Sequence, residues 1–169
     1  RPVGVNRVVL IQHSLYHRFD NSYLVDTWKD HPDRFRVVGM VDSRLDGTGS
    51  KMRKLLKQGV TGFRITPFTL GKDWLETPGM NEMWQTGAKT GQAMCCLINP
   101  TDLPDVDRMC QKHAATPVVI DHFARVGVDG TFPEEQLKNL CRLARHKNTS
   151  VKISAYYALG RKKPPYDDL

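Results

Sequence analysis

The sequence lacks any apolar run that approaches the roughly 20 residues needed to cross a bilayer. Its first four residues, RPVG, do not form a signal peptide. Hydrophobic residues make up 40% and charged residues 25% of the 169 positions, which is ordinary for a globular protein. No Ser-, Gly- or Pro-rich linker divides the chain. We therefore expect one cytoplasmic domain, residues 1–169, with no membrane partner.

Cysteine is scarce, and no two of the four cysteines form a Cys-x-x-Cys pair. Cys95 and Cys96 are adjacent inside an apolar run, and the others are Cys110 and Cys141. This usage predicts reduced, buried thiols rather than a disulfide framework or a zinc site. A redox-active pair of Cys95 and Cys96 is the alternative, although small core residues are the simpler interpretation.

Positive charge is abundant but scattered. The net charge is +7, carried by Lys and Arg on predicted helices and by one cluster at residues 161–163. No basic stripe alternates with aromatic residues, so the pattern favours a solvated surface over a nucleic-acid groove. A small anionic substrate is compatible with this charge. The oligomeric state stays open, an assembly of identical subunits included.

Six short apolar or β-branched runs alternate with segments of helical periodicity. They cover residues 8–12, 35–42, 60–67, 93–100, 117–123 and 150–157. Their starts are 24 to 33 residues apart, close to the roughly 30 residues of a βαβ unit. The sequence therefore predicts an α/β protein with parallel strands and right-handed connections.

Five motifs follow one another along nearly the whole chain. They are VVLIQ (8–12) with DN (20–21), GVTGFR (59–64), PVVIDH (117–122), VKIS (151–154) and PYDDL (165–169). In this order they resemble the amidohydrolase-related (amidohydrolase 2) TIM-barrel hydrolases, particularly the branch with sugar-acid and pyrone-dicarboxylate lactonases. The resemblance implies a parallel (β/α)₈ barrel, of which this chain holds about strands two to seven.

The resemblance also identifies what the 169 residues do not contain. Relatives begin with a strand bearing His-x-His and end with a strand carrying an Asp, and neither pattern occurs here. A complete (β/α)₈ barrel typically needs about 250 residues. We therefore hypothesise that the chain is a fragment lacking the first and last strands. An intact mass of the natural protein near 19.2 kDa would reject this hypothesis.

A metal cofactor is left open by the resemblance. Metal-binding relatives place a His at the end of their fifth strand, where this sequence has Asn99. His122 is then the only imidazole at an expected ligand position, and zinc needs three or four protein ligands. The resemblance thus favours the metal-independent lactonase branch. A divalent metal such as zinc, with His122 as one ligand, is the alternative in the full-length protein.

His122 is the first candidate site residue. It follows the buried run at residues 117–120, and chemistry in parallel α/β proteins collects at the carboxyl ends of strands. Strand alternation would place Val118, Ile120 and His122 on one face, the barrel interior, and Asp121 on the other. The expected role of His122 is to polarise the scissile carbonyl or to bind a metal. Asp121 could orient a neighbour or serve structurally.

Two basic residues are candidates for binding a substrate carboxylate. Arg64 lies near the end of its strand, where a buried guanidinium needs a carboxylate from the protein or from a substrate. Lys152 and Ser154 share a face of the last strand, and an internal Lys suits anion binding or proton transfer. A salt bridge between strands is the alternative for Lys152.

The remaining candidates lie beside these positions. Gln12 and Ser14 lie at the end of the first run and resemble positions from which relatives contact substrate, although they could equally stabilise a turn. Tyr156 is expected to share the face of Lys152 and to present its hydroxyl. Arg125, just after His122, is a weaker candidate for binding an anion.

The resemblance implies hydrolysis of a lactone, or of a similar bond, in a small carboxylated substrate. An Asp on the absent last strand would activate water. A zinc-dependent decarboxylase and a catalytically silent barrel that binds anions or proteins are the alternatives, and a nucleic-acid module ranks after them.

Overall fold

The computed structural model describes residues 4–71 and 73–169. Within these residues six strands form a single parallel sheet in the order β1-β2-β3-β4-β5-β6. The strands are β1 (Val8–Ile11), β2 (Phe35–Gly39), β3 (Val60–Ile65), β4 (Ala93–Cys96), β5 (Val118–Ile120) and β6 (Thr149–Val151). The prediction of six parallel strands in a partial barrel is confirmed.

Seven α-helices connect the strands in the described part of the chain. They are α1 (Ser14–His17), α2 (Ser22–Asp30), α3 (Thr48–Leu56), α4 (Pro67–Leu70), α5 (Pro78–Thr90), α6 (Leu103–Lys112) and α7 (Glu134–Arg142). None of these helices combines the length and the apolar character needed to cross a membrane.

All six strands are shorter than the predicted apolar runs. β5 stops at Ile120 and β6 stops at Val151, because the chain turns there into irregular structure. Residues 156–158 form a short 3₁₀ turn, and residues 121–125 form a turn in which residues 122–125 have positive φ angles, instead of extending the strands. A run of apolar residues marks a buried strand, but it does not mark where the strand's hydrogen bonds end.

The core lies between one face of the sheet and the helices. Phe63 and Ile65 of β3, Met94 of β4 and Ile120 of β5 are at most 1% exposed and pack with helical residues. The helical partners include Met52, Met80, Trp84, Leu103, Val106 and Met109. Because strand side chains alternate, the residues between these core positions face the opposite, concave side of the sheet.

The cysteine prediction is confirmed for three residues and wrong for the fourth. Cys95, Cys96 and Cys110 are buried free thiols, whereas Cys141 is an exposed free thiol on α7. Helix α7 has no fully buried residue, so its apolar positions are only partly covered. An apolar periodicity identifies the inner face of a helix, but it does not ensure that the face is closed.

The DN motif, residues 20–21, anchors helix α2 to the sheet. Asn21 is buried, accepts a hydrogen bond from the Met40 amide at 2.8 Å and donates one to the Met40 carbonyl at 2.9 Å. A Cβ atom at Gly39 would lie 2.6 Å from the Asn21 side-chain oxygen, so only glycine fits there. The motif therefore joins the start of α2 to the end of β2.

Gly59 provides a stability prediction. It has φ +80°, and an added Cβ would lie 2.2 Å from the indole of Trp28. We expect Gly59→Ala to lower the free energy of unfolding by roughly 2–4 kcal/mol, from left-handed strain and overpacking together. Urea denaturation measures the change.

Gly91→Ala is the matched control for that substitution. Its φ is +74°, but nothing lies within 4 Å of an added Cβ. Only the backbone strain remains, so the expected loss is about 1–2 kcal/mol. Equal losses in the two variants would contradict the close packing of Trp28 on Gly59.

Candidate functional site

Charged side chains from three strands meet at the carboxyl edge of the sheet. Arg64 lies between the core residues Phe63 and Ile65 and therefore faces the concave side. Asp121 directly follows β5, and Lys152 directly follows β6. Parallel strands bring these positions to one edge of the sheet.

Asp121 is the centre of this cluster. Its carboxylate is 1% exposed and lies 3.1 Å from Arg64 Nη2 through Oδ2 and 3.0 Å from Lys152 Nζ through Oδ1. Arg64 is 12% exposed and Lys152 is 33% exposed. A buried carboxylate needs such cations, because an unpaired charge is costly to remove from water.

Arg64 and Lys152 therefore both have a protein partner. Of the two alternatives for Arg64, the structure shows pairing with a carboxylate of the protein. Its Nη1 also donates to the Gln12 carbonyl at 3.4 Å, and its buried Nε has no partner among the residues that the structure describes. Lys152 forms the cross-strand salt bridge that was its alternative role. Contact of either residue with a substrate stays a prediction.

An unusual backbone segment places the imidazole. His122, Phe123, Ala124 and Arg125 have φ angles of 55°, 53°, 53° and 60°, so four consecutive non-glycine residues are left-handed. Each such residue costs roughly 1–2 kcal/mol in isolation. Strain of this kind collects at functional sites, where the surrounding structure maintains it. The segment reverses the chain directly after Asp121.

The predicted alternation at β5 holds for Val118 and Ile120 on one face and Asp121 on the other, but the first face is the core and not the barrel interior. His122 does not follow from strand alternation, because the strand has already ended. The left-handed turn brings its ring to the cluster instead, and His122 Nδ1 lies 2.8 Å from Ser154 Oγ.

The imidazole of His122 is held in its neutral form. Burial lowers the pKa of His122 below the ordinary value of 6.5; Asp121 acts in the opposite direction, and Lys152, Arg64 and Arg125 lower it further. As the pH falls, His122 therefore takes up a proton at a higher pH in the unfolded chain than in the folded chain. The stability contributed by the neutral ring is lost as the pH drops from about 6.5 through the folded pKa.

Lys152→Met should raise the pKa of His122, because it removes one of the cations that disfavour the imidazolium. An NMR titration of the His122 ring protons measures this shift. Lys163→Met, which changes an exposed lysine, is the control and should leave the pKa unchanged. An unchanged or lower pKa in Lys152→Met would show that the ammonium does not act on the ring.

Cys95 forms a neutral part of the concave surface. Its Cα is the register partner of Arg64 on β3, and the thiol is 6% exposed. Burial raises the pKa of Cys95 to about 12, and the negative charge of Asp121 contributes in the same direction. The thiol is therefore protonated near neutral pH and cannot serve as a thiolate nucleophile.

Gln12 and Ser14 lie at the carboxyl end of β1. The buried side chain of Gln12 donates to the carbonyls of Arg18 and Asp20, which is the turn-stabilising role that was left open for it. Ser14 begins the short helix α1 and lines a cavity together with Arg18. Contact of either residue with a substrate stays a prediction.

The prediction that Tyr156 shares the face of Lys152 is wrong. β6 ends at Val151, and Tyr156 lies in a 3₁₀ turn where its ring packs against Tyr157 and Tyr166. The charge of Arg125 lowers the pKa of His122, and its guanidinium carbon is 5.4 Å from the centre of the Phe68 ring.

The described residues do not form a metal site of their own. Across residues 4–71 and 73–169 no three His, Cys, Asp or Glu side chains are grouped as ligands. Asp121 is engaged by two cations, and one nitrogen of His122 is engaged by Ser154. These residues alone do not fit the three or four ligands that zinc needs.

The central position of Asp121 is the feature that sequence reasoning left undecided. The available signal was the buried arginine, because such a guanidinium requires a nearby carboxylate. Asp121 ends the run that lies two strands away from Arg64, beyond β4. Without the sheet order, several other carboxylates could have filled this role.

Comparison with known proteins supports one family. The model of the Amidohydrolase family matches residues 1–169. The 4-sulfomuconolactone hydrolase of Rhizobium radiobacter is 28% identical over 172 residues, which cover 99% of this chain and 55% of that protein. The chain thus spans about half the length of the curated relative that it matches.

Solved structures share the fold. One is a protein from Acinetobacter baumannii, named a probable 2-pyrone-4,6-dicarboxylic acid hydrolase, with citric acid bound; it is 23% identical with a TM-score of 0.81. The match covers 95% of this chain and 58% of that one. An amidohydrolase from Burkholderia multivorans with bound zinc is 18% identical, with a TM-score of 0.76, over 92% of this chain and 56% of that one.

Proposed function

Because this chain belongs to the Amidohydrolase family, we propose that the protein of which it forms part hydrolyses a lactone of a small carboxylated substrate. The similarity to a 4-sulfomuconolactone hydrolase supports this proposal. The relative is about twice as long, so the activity is proposed for the whole protein, and residues 1–169 supply part of its site.

The charge of the site carries the proposal. Asp121 supplies one negative charge, whereas Arg64, Lys152 and Arg125 supply three positive charges around the neutral ring of His122. The excess positive charge lies at the carboxyl edge of the sheet and favours an anionic substrate. A neutral imidazole beside it can donate a hydrogen bond to an uncharged carbonyl.

His122 is the group that we expect to act on the scissile bond. When the Ser154 hydroxyl donates to Nδ1, the proton of the neutral ring lies on Nε2, which is then a donor. Water adds to the lactone carbonyl carbon, and negative charge develops on the carbonyl oxygen. A donor aimed at that oxygen typically lowers the barrier by about 3–4 kcal/mol. The ring C–O bond then breaks, the leaving oxygen takes up a proton, and a carboxylate forms.

Arg64 and Lys152 have a positioning role in this scheme. By holding Asp121 they keep a positive field on the side of the site where the substrate carboxylate is expected. The family resemblance assigns the activation of water to an Asp outside residues 1–169. We assign no general base within this chain.

A divalent metal belongs to the second candidate function, a decarboxylase. In the full-length protein, His122 could provide one metal ligand through Nε2, and further ligands would have to come from outside residues 1–169. One fold neighbour is the 5-carboxyvanillate decarboxylase of Novosphingobium aromaticivorans with manganese, with a TM-score of 0.54. At 15% identity, this likeness supports the fold alone.

Product analysis of the full-length protein distinguishes the candidates. Lactone hydrolysis releases one proton per ring opened near neutral pH and no carbon dioxide, which a pH-stat and headspace analysis measure together. Carbon dioxide release that requires a metal would support the decarboxylase. No turnover of any carboxylated lactone or carboxylated phenol would favour a silent binding protein.

A further inference from the structure

The segments that follow β5 and β6 remain paired after both strands have ended. The Lys152 amide donates to the Ile120 carbonyl at 2.9 Å, one residue beyond β6. The Lys152 side chain then pairs with Asp121, with Nζ 3.0 Å from Oδ1. Two residues later, Ser154 Oγ lies 2.8 Å from His122 Nδ1. The segment after β6 thus holds two successive residues that follow β5, one by charge and one by a hydrogen bond.

The contact with Ser154 fixes the direction of the imidazole. His122 begins the left-handed turn, with φ 55°, and a backbone in this region is maintained by its surroundings. Both side chains are half-buried. Among the residues that the structure describes, Ser154 is the one hydrogen-bond partner of the His122 ring. The backbone turns again one residue later, where Ala155 has φ 60°. Ser154 therefore lies between two turns, directed at the ring.

A serine hydroxyl pairs with a neutral imidazole in one of two ways. It donates to Nδ1, and the ring proton is then on Nε2, or it accepts from Nδ1, and Nε2 is then an unprotonated acceptor. The first arrangement makes Nε2 a hydrogen-bond donor for a substrate carbonyl. The second makes Nε2 a possible metal ligand. The direction of this single hydrogen bond therefore decides which chemistry the ring of His122 performs.

The partners available to the two groups favour the first arrangement. In the described part of the chain, the Ser154 hydroxyl has no hydrogen-bond acceptor other than His122 Nδ1. A half-buried hydroxyl that only accepts would leave its own proton without a protein partner, which costs free energy. When the hydroxyl donates, the proton still open to a partner is on Nε2 instead. That proton is available to a substrate.

We propose that Ser154 is a positioning residue for the lactone hydrolysis. Its hydroxyl donates to Nδ1 of His122 and so holds the ring with its proton on Nε2, directed at the substrate carbonyl. This inference rests on the function proposed above and deepens it. Ser154 then acts through His122, and not through its own contact with the substrate that the sequence predicted.

The tautomer of His122 is measured without turnover. In the full-length protein labelled with ¹⁵N at histidine, two-bond correlation spectra at mildly alkaline pH distinguish a protonated ring nitrogen from an unprotonated one. The signals that His122→Ala removes are those of His122. We expect a protonated Nε2 and an unprotonated Nδ1. Ser154→Ala should move both nitrogens toward intermediate shifts, because the ring then samples both tautomers. Ser154→Thr keeps the hydroxyl and should restore the wild-type shifts.

The kinetic effect should fall on kcat. Ser154→Ala should lower kcat for lactone hydrolysis about tenfold, which corresponds to about 1.4 kcal/mol, and change KM less than about twofold. Ser154→Thr should keep kcat within about threefold of the wild type. Ser150→Ala, which changes an exposed serine of β6, is the matched control. It should alter neither the tautomer of His122 nor kcat.

Three results would overturn the positioning role. They are a wild-type ring with its proton on Nδ1, an unchanged tautomer in Ser154→Ala, and a Ser154→Thr protein that folds but does not restore the wild-type shifts. The expected tautomers in every variant, without opening of any lactone by the wild type, would overturn the proposed function and leave the action of Ser154 on the ring in place.

Discussion

Replacing His122 with alanine in the full-length protein should lower kcat for lactone hydrolysis by about a hundredfold or more. The ring is neutral, is held by Ser154 and faces the positive cluster, so its free nitrogen can stabilise the oxyanion that forms on the carbonyl. KM should change much less than kcat, because this contact strengthens only as charge develops. Steady-state kinetics at saturating substrate measures the effect.

His31→Ala is the matched control for this substitution. His31 is an exposed histidine that follows α2 and precedes β2, at the amino-terminal edge of the sheet. His31→Ala should change kcat by no more than about twofold. This is well below the tenfold change that an increase of about 1.4 kcal/mol in the activation free energy would cause. A reduction of less than threefold in His122→Ala would remove His122 from the mechanism. Circular dichroism of both variants establishes that the fold is intact.

Asp121→Asn should cause a large loss of stability. The substitution leaves the buried guanidinium of Arg64 and the partly buried ammonium of Lys152 without their counter-charge. Breaking a buried ion pair costs about 3–5 kcal/mol, and the partial exposure of Lys152 reduces this to roughly 2–4 kcal/mol here. Urea denaturation of the full-length protein at neutral pH measures the free energy of unfolding.

Two further variants separate this interaction from a general effect of losing a charge. Asp26→Asn breaks a surface pair with Lys29 and should cost less than about 1 kcal/mol. A triple variant with Asp121→Asn, Arg64→Met and Lys152→Met should recover much of the lost stability, since no buried charge then lacks a partner. If Asp121→Asn is no more destabilising than Asp26→Asn, Asp121 is not the centre of the cluster.

Much of the architecture could be predicted from the spacing of apolar runs. Parallel strands separated by helices leave a repeat of about 30 residues, and buried parallel strands are apolar on both faces. This pattern identified all six strands, including β5 with only three residues. The ends of the strands could not be predicted in this way, because residues 121–123 and 152–157 continue the polar and apolar pattern after the hydrogen bonding has stopped.

Because the strand ends could not be predicted, the positions of His122 and Tyr156 at the site were also predicted wrongly. Alternation placed His122 and Ile120 on one face, whereas the left-handed turn after Asp121 reorients His122. Four consecutive left-handed residues without glycine leave no recognisable mark in the sequence, since no local preference favours them. Tyr156 was misplaced for a similar reason, because the chain leaves the sheet at Val151.

The sequence predicts that a buried arginine has a carboxylate partner, but it does not predict which carboxylate. A buried arginine at the end of a strand predicts a carboxylate partner, and the choice of Asp121 depends on sheet order, which the sequence does not state. The pairing of both Arg64 and Lys152 with this one carboxylate depends on the sheet order in the same way.

The role of His122 can be tested by a crystal structure of the full-length His122→Asn protein with a bound carboxylated lactone. We expect the lactone carbonyl oxygen to lie about 3 Å from the side chain at position 122, at hydrogen-bonding distance. The lactone carboxylate should contact an arginine at the carboxyl edge of the sheet. A lactone bound away from this edge, without contact to residue 122 or to the Asp121 cluster, would rule out this role.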